Sequence, residues 1–227
     1  MHFCESPATI AGLFLLGRAL SYVLYGDKGS GAFCVEAALA EAGAKYEFWT
    51  VSLDKNEQKS PAFLAINPSG KIPALRMPSG EIATETAALL LIIAERHPQT
   101  SLLPPVGTAD RAQALRWIAF MASEIYPIVE IVDYPGRFAP SGSAADALRE
   151  KAKERVRERL LTIEHAIAGP WMLAGGFTAA DIYAAMFSRW SVGKDWRDAN
   201  LPKINALAAA LSQRPAIAPV WAKHFGT

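Results

Sequence analysis

The sequence predicts a small α/β domain joined by a proline-rich linker to a larger all-helical domain. Three observations carry this. Short β-type runs alternate with helical ones from residue 21 to residue 98. Leu103-Pro104-Pro105 and Gly107 then interrupt the chain. The remainder is rich in Ala and Leu and holds no convincing strand. The expected division is an extension at 1–20, an α/β domain at 21–98, a linker at 99–107 and a helical domain at 108–227.

The elements follow in order. Ser21-Tyr22-Val23-Leu24-Tyr25 is a β-type run ended by Gly26-Asp27-Lys28-Gly29. Ser30 can cap the next helix, whose apolar positions Phe33, Ala37, Ala38 and Ala40 lead to a stop at Gly43. Residues 46–51 read as a second strand, and 60–66 as one or two helical turns. Pro78-Ser79-Gly80 is a turn between two short runs, so 74–83 reads as a hairpin. Residues 84–96 form a helix that stops at His97-Pro98. The order is therefore β-α-β-α-β-β-α. Further helices are expected at 108–133, 145–167, 179–195, 203–213 and 215–224, with Pro127 kinking the first of these.

Composition narrows the function classes. Hydrophobic residues make up 51% of the 227, charged residues 20%, and the net charge is +1. That is a globular balance with no bulk attraction to nucleic acid or to a membrane surface. Residues 8–20 are apolar but too short for a membrane span, and Arg18 interrupts them. No Lys or Arg precedes them, as a secretory signal would require. The two cysteines, Cys4 and Cys34, make neither a metal cluster nor a Cys-x-x-Cys pair. No metal is expected, and a reducing cytoplasm is the expected location. The histidines at 2, 97, 165 and 224 stand in no hydrolase motif.

Two motifs point to chemistry. Asn67-Pro68-Ser69-Gly70-Lys71-Ile72-Pro73-Ala74-Leu75 joins a tight turn to an apolar strand through Ile72-Pro73. A cis bond before Pro73 would turn the chain sharply and leave the Ile72 N–H and C=O free to pair with an extended peptide. Glu85-Thr86 opens a helix, where free N–H groups and the dipole attract a carboxylate. A hydroxyl for a carboxylate and a carboxylate for an ammonium together match an amino-acid head group.

With these residues in place, the run from Tyr25 through Ser30 and Gly43 to NPSGKIPAL, the hairpin and Glu85-Thr86 resembles the thioredoxin-like half of the cytosolic glutathione transferases. The resemblance covers the chain from about residue 21 to the C-terminus. Thr178-Ala179-Ala180-Asp181 strengthens it as a capping box that opens an apolar helix, a structural feature in that family. What the resemblance implies is a glutathione transferase fold, glutathione as co-substrate, a small hydrophobic electrophile as partner, a homodimer and a role in detoxification. Ile72 before a cis Pro73 would pair with the cysteinyl part of glutathione, Glu85 and Thr86 would hold its γ-glutamyl end, and Lys71 would meet the glycyl carboxylate. The family usually has Ser where Thr86 stands, and the hydroxyl is kept.

The donor to the glutathione sulfur has two candidates. Ser30 is a hydroxyl at a helix N-terminus between Gly29 and Gly31, as in the family's serine-type members. Tyr25, at the end of the first strand, is the alternative, and backbone N–H groups are a third source. Cys34 lies a turn too deep to serve as the family's catalytic cysteine. Phe120, Ser123 and Tyr126 are the candidate wall for the second substrate, with Pro127 and Trp190 beside them. Two rival functions stay open: glutathione-dependent reduction of disulfides or peroxides, and a binding or scaffold module without turnover.

Overall fold

The structure is a computed structural model that describes residues 21–190 and 192–226. The expected extension at 1–20, with His2 and Cys4, lies outside the described residues.

A four-stranded sheet organises the first half. Strands β1 (Tyr22–Gly26), β2 (Tyr46–Thr50), β3 (Ala74–Arg76) and β4 (Ile82–Thr84) lie in the order β2-β1-β3-β4. β1 runs parallel to β2 and antiparallel to β3, and β3 and β4 form the hairpin. The parallel pair needs a crossover, supplied by α1 (Ala32–Glu41). Its residues Phe33, Cys34, Val35, Ala37, Ala38 and Leu39 are wholly buried. A short helix α2 (Pro61–Leu64) is capped by Ser60, whose hydroxyl accepts from the Phe63 N–H at 3.3 Å. The Met77 N–H donates to Glu81 and the Gly80 N–H to Met77, closing the hairpin turn with Gly80 at φ 105°. Helix α3 (Thr86–Arg96) packs against α1. This is a thioredoxin-like sheet.

Helices α4 (Ala109–Glu124), α5 (Tyr126–Asp133), α6 (Ser143–Ala166), α7 (Ala179–Phe187), α8 (Lys194–Asn200), α9 (Pro202–Ser212) and α10 (Ala218–Phe225) form the second half. α7 is buried along its whole length. Cys34 on α1 meets it directly, with its sulfur 3.4 Å from that of Met186. One hydrophobic core therefore runs from Leu24 and Leu75 in the sheet to Leu207 and Leu211 in α9. The Arg214–Glu41 ion pair and the Ala179 N–H to Leu102 carbonyl bond tie the halves further.

Two elements differ from the sequence expectation. The helix expected at 108–133 is two helices. Proline at 127 has no N–H for the Ser123 carbonyl, and the chain breaks at Ile125 before restarting with Pro127 in the first turn of α5. The helix expected at 179–195 ends at Phe187, and Gly193 at φ 85° starts a separate α8.

Candidate functional site

A cavity of about 560 Å³ lies where the sheet domain faces α5 and α7. Its floor is the turn between β1 and α1. Asp27 builds that turn: its carboxylate accepts from the Lys28 and Leu53 N–H groups, each at 2.8 Å. Ser30 follows, 9% exposed, and lines the cavity with Gly29 and Gly31. Its hydroxyl donates to the Asp27 carbonyl at 2.7 Å and accepts from the Ala32 N–H at 3.2 Å. Ser30 thus satisfies one of the free amides at the start of α1, although the cap position itself is Gly31.

Gly31 is a point of close approach. A Cβ there would collide with the Tyr126 hydroxyl and stand 3.0 Å from Thr86 Oγ1. Only glycine lets this turn, the first residue of α3 and the first residue of α5 converge. Burial pushes the Tyr126 phenol well up, so it stays neutral.

The wall beside the floor is the NPSGKIP segment. The Asn67 side chain shapes it by donating to the Lys71 carbonyl at 2.7 Å and accepting from the Ser69 N–H at 3.1 Å. The Ile72–Pro73 peptide is cis. The Ile72 backbone N–H and C=O have no partner among the described residues, and both residues line the cavity. Lys71 reaches across to α5, where its ammonium meets Glu130 at 2.8 Å, and Arg137 holds the other oxygen of Glu130 at 3.0 Å. At 60% side-chain exposure for Lys71, such a pair contributes less than about 1 kcal/mol.

Glu85 completes the wall. It is exposed at the cap of α3 with φ 69° and ψ 111°, a left-handed region that non-glycine residues rarely adopt. An L-residue held there costs about 1–2 kcal/mol. The distortion delivers buried Thr86 as the first helical residue and leaves Glu85 on the cavity lining.

These observations bring Ser30, Lys71, Ile72, Pro73, Glu85, Thr86 and Tyr126 to one cavity. Tyr25 stands apart. Its ring is buried between Trp49 and Phe63, at centroid distances of 5.7 and 6.3 Å, and is not on the lining. Phe120 and Ser123 also lie off the lining. Phe120 packs edge-on against Trp117 at 5.5 Å, and Ser123 faces outward with its hydroxyl on the Ala119 carbonyl. Ala122 on α4 lines the cavity, and beyond the break at Ile125 the expected Tyr126 and Pro127 line it together with Val129.

The sequence model for the N-terminal domain of glutathione S-transferases matches residues 21–95. The uncharacterized GST-like protein YncG of Escherichia coli K12 is 32% identical over 87% of this chain and 95% of its own length. The chain belongs to the glutathione S-transferase family. Glutathione S-transferase 3 of Zea mays is 32% identical, covering 80% of this chain and 84% of its own. Among solved structures, a glutathione transferase homologue from Sulfitobacter with bound glutathione aligns with a TM-score of 0.82. It is 30% identical and covers 88% of this chain and 97% of its own.

Within this family frame, the hold of three residues on the turn before Ser30 escapes sequence reasoning. Trp190, a wall candidate whose helical spacing reads better as core packing, donates its indole N–H to the Gly29 carbonyl at 2.8 Å. His224 accepts from the Gly29 N–H at 3.1 Å, and Glu36 holds His224 at 2.8 Å. A signal for Glu36 existed: it is a lone carboxylate inside the apolar run Phe33–Leu39. Nothing near His224 in the sequence marked it, because its partners lie 195 and 188 residues away.

Proposed function

We propose that the chain binds glutathione in this cavity and activates its thiol for attack on an electrophilic carbon of a small hydrophobic acceptor. The observation that carries the proposal is Glu85, a non-glycine residue held at φ 69° on the cavity wall at the start of α3. Backbone strain of this kind clusters where a ligand is clamped. In this reading Glu85 takes the ammonium of the γ-glutamyl group, while Thr86 and the free N–H groups of α3 take its carboxylate. The unpaired N–H and C=O of Ile72 take the cysteinyl backbone. Lys71 exchanges its weak bond to Glu130 for the glycyl carboxylate.

The thiol then lies at the Ser30 turn. A free thiol ionises near pH 8.5, so few molecules are reactive at neutral pH. Ser30 supplies one hydrogen bond to the sulfur by turning its O–H away from the Asp27 carbonyl. That bond to a neutral carbonyl contributes about 1 kcal/mol, whereas one to an anion contributes about 1.5–3 kcal/mol. The exchange therefore favours the thiolate. The Asp27 carbonyl keeps the Ser30 N–H as a donor at 3.3 Å. Ser30 is serine-type chemistry, and its oxygen remains free to accept from Ala32 throughout. The thiol proton passes to solvent, and the thiolate sulfur forms a bond to carbon as the leaving group departs with its bonding pair.

Reduction of disulfides through Cys34, the cysteine among the described residues, is disfavoured. Cys34 is wholly buried, and burial pushes its thiol well above its ordinary value. A homodimer and residence in the cytoplasm belong to the same proposal, carried over from the family. Assays of the purified chain with glutathione and either an aryl halide or a small disulfide test it. Thioether formation from the aryl halide is expected. Turnover of the disulfide alone would assign the site to reduction, and turnover of neither would assign it to binding without chemistry.

A further inference from the structure

Gly29 precedes Ser30, and both of its backbone polar groups are held by side chains of the helical half. Its N–H donates to His224 Nδ1 at 3.1 Å, and its C=O accepts from Trp190 Nε1 at 2.8 Å. Gly29 has φ 69°, and a Cβ there would meet only the His224 carbonyl, at 3.9 Å. The glycine is needed for its backbone angle, and the two distant side chains fix where that angle points.

His224 is itself fixed. Its side chain is wholly buried, with Phe33 and Phe48 edge-on at 5.6 and 5.9 Å. Because Nδ1 accepts from an amide, the ring proton is on Nε2. Nε2 donates to Glu36 Oε2 at 2.8 Å. Glu36, on α1 and 3% exposed, also takes Lys223 Nζ at 2.7 and 2.9 Å and the Tyr46 hydroxyl at 3.1 Å. Burial pushes the Glu36 carboxyl up, but the hydrogen bonds from His224 and Lys223 outweigh it and hold the group below its ordinary value. The carboxylate is thus ionised and acceptor-only, which selects the tautomer in which Nδ1 is bare.

We propose that His224 is a positioning residue for the site: oriented by Glu36 and assisted by Trp190, it holds Gly29 and so sets where the Ser30 hydroxyl stands. This rests on the role given to Ser30 above. A displacement on the order of 1 Å at a reacting group costs about 100-fold in rate, so loss of the tether is expected to lower kcat by about 10- to 100-fold. Glutathione affinity is expected to stay unchanged, because Ile72, Glu85 and Thr86 lie on other elements.

Two substitutions separate the tether from simple core packing. His224→Asn places an amide oxygen near the position of Nδ1 and keeps an acceptor for Gly29. His224→Gln keeps a donor for Glu36 but leaves the Gly29 N–H without an acceptor. The asparagine variant is expected to retain most of kcat, and the glutamine variant to lose it with KM for glutathione unchanged. A merely structural histidine predicts equal losses that follow thermal stability, and that result would overturn the proposal. A second readout needs no turnover and no variant. In the unaltered protein, ¹⁵N spectra are expected to show Nδ1 unprotonated and the Gly29 amide hydrogen-bonded and slow to exchange. A protonated Nδ1 or a fast-exchanging Gly29 amide would overturn the tether. A correct tether in a protein that turns over no electrophile would instead overturn the proposed transferase chemistry.

Discussion

Replacing Ser30 with Ala is expected to lower turnover by about 10- to 100-fold near pH 7 while leaving glutathione affinity nearly intact. The magnitude follows from one hydrogen bond to an anion. At about 1.5–3 kcal/mol it is equivalent to one or two pKa units of the bound thiol, and so to the same factors in thiolate concentration. The loss has a signature in pH. It is largest where the thiol is mostly protonated and shrinks in alkaline buffer, where the thiolate forms without help. Kinetics across that range with an aryl halide check both points. The same variant removes the acceptor for the Ala32 N–H, which costs about 0.5–2 kcal/mol of stability, so it needs a thermal control. Tyr25→Phe is expected to leave turnover unchanged, since its ring is spent on packing against Trp49 and Phe63. Full activity in Ser30→Ala would pass the role to another donor.

The largest effect on stability is expected far from the cavity. Asp181 is wholly buried at the start of α7 and accepts from the Met172 N–H at 2.7 Å, the Thr178 N–H at 2.7 Å and the Thr178 hydroxyl at 3.2 Å. Asp181→Ala leaves at least the two buried backbone donors unpaired at about 1–3 kcal/mol each, for a total of about 2–6 kcal/mol. Domains are stable by only about 5–15 kcal/mol, so the urea midpoint is expected to fall substantially. The cost also depends on pH. Burial raises the Asp181 carboxyl from 3.8 to about 6, against the pull of its three donors. The folded chain then binds more protons than the unfolded chain between those values. Stability from this linkage is fully present below about pH 4 and is lost as pH rises through about 6. The penalty for Asp181→Ala is therefore expected to be larger at pH 4.5 than at pH 7.5. A penalty that grows with pH would reverse the sign of the burial effect.

Those two residues also mark what the sequence makes legible. Asp181 could be read because a capping box is local: Thr178 and Asp181 are three residues apart, and the chemistry needs nothing else. The hairpin could be read for the same reason, since Pro78-Ser79-Gly80 supplies its own turn geometry. Ser30, Ile72-Pro73 and Glu85-Thr86 each carried a local reason to be at a terminus or turn, and the fold brings them to one cavity. The second-substrate wall was harder. Its register depends on where the helix beyond residue 108 breaks, and Pro127 marks the break only to within a few residues. Phe120 and Ser123 lie off the lining, whereas Ala122 on the same helix and Val129 beyond the break lie on it. The strained backbone of Glu85 left no trace in composition, because a left-handed glutamate is imposed by its surroundings. The hold of His224 on Gly29 was illegible for a similar reason: it exists only once α10 packs against α1.

The account depends most on glutathione occupying the cavity with its γ-glutamyl end at Glu85. Calorimetric titration of glutathione into the purified protein and into Glu85→Ala tests this directly. Saturable binding of one tripeptide per chain is expected, weakened about 10- to 100-fold by the substitution, as loss of a charge-assisted hydrogen bond implies. No binding heat at millimolar glutathione, or equal affinity in the two proteins, would contradict it.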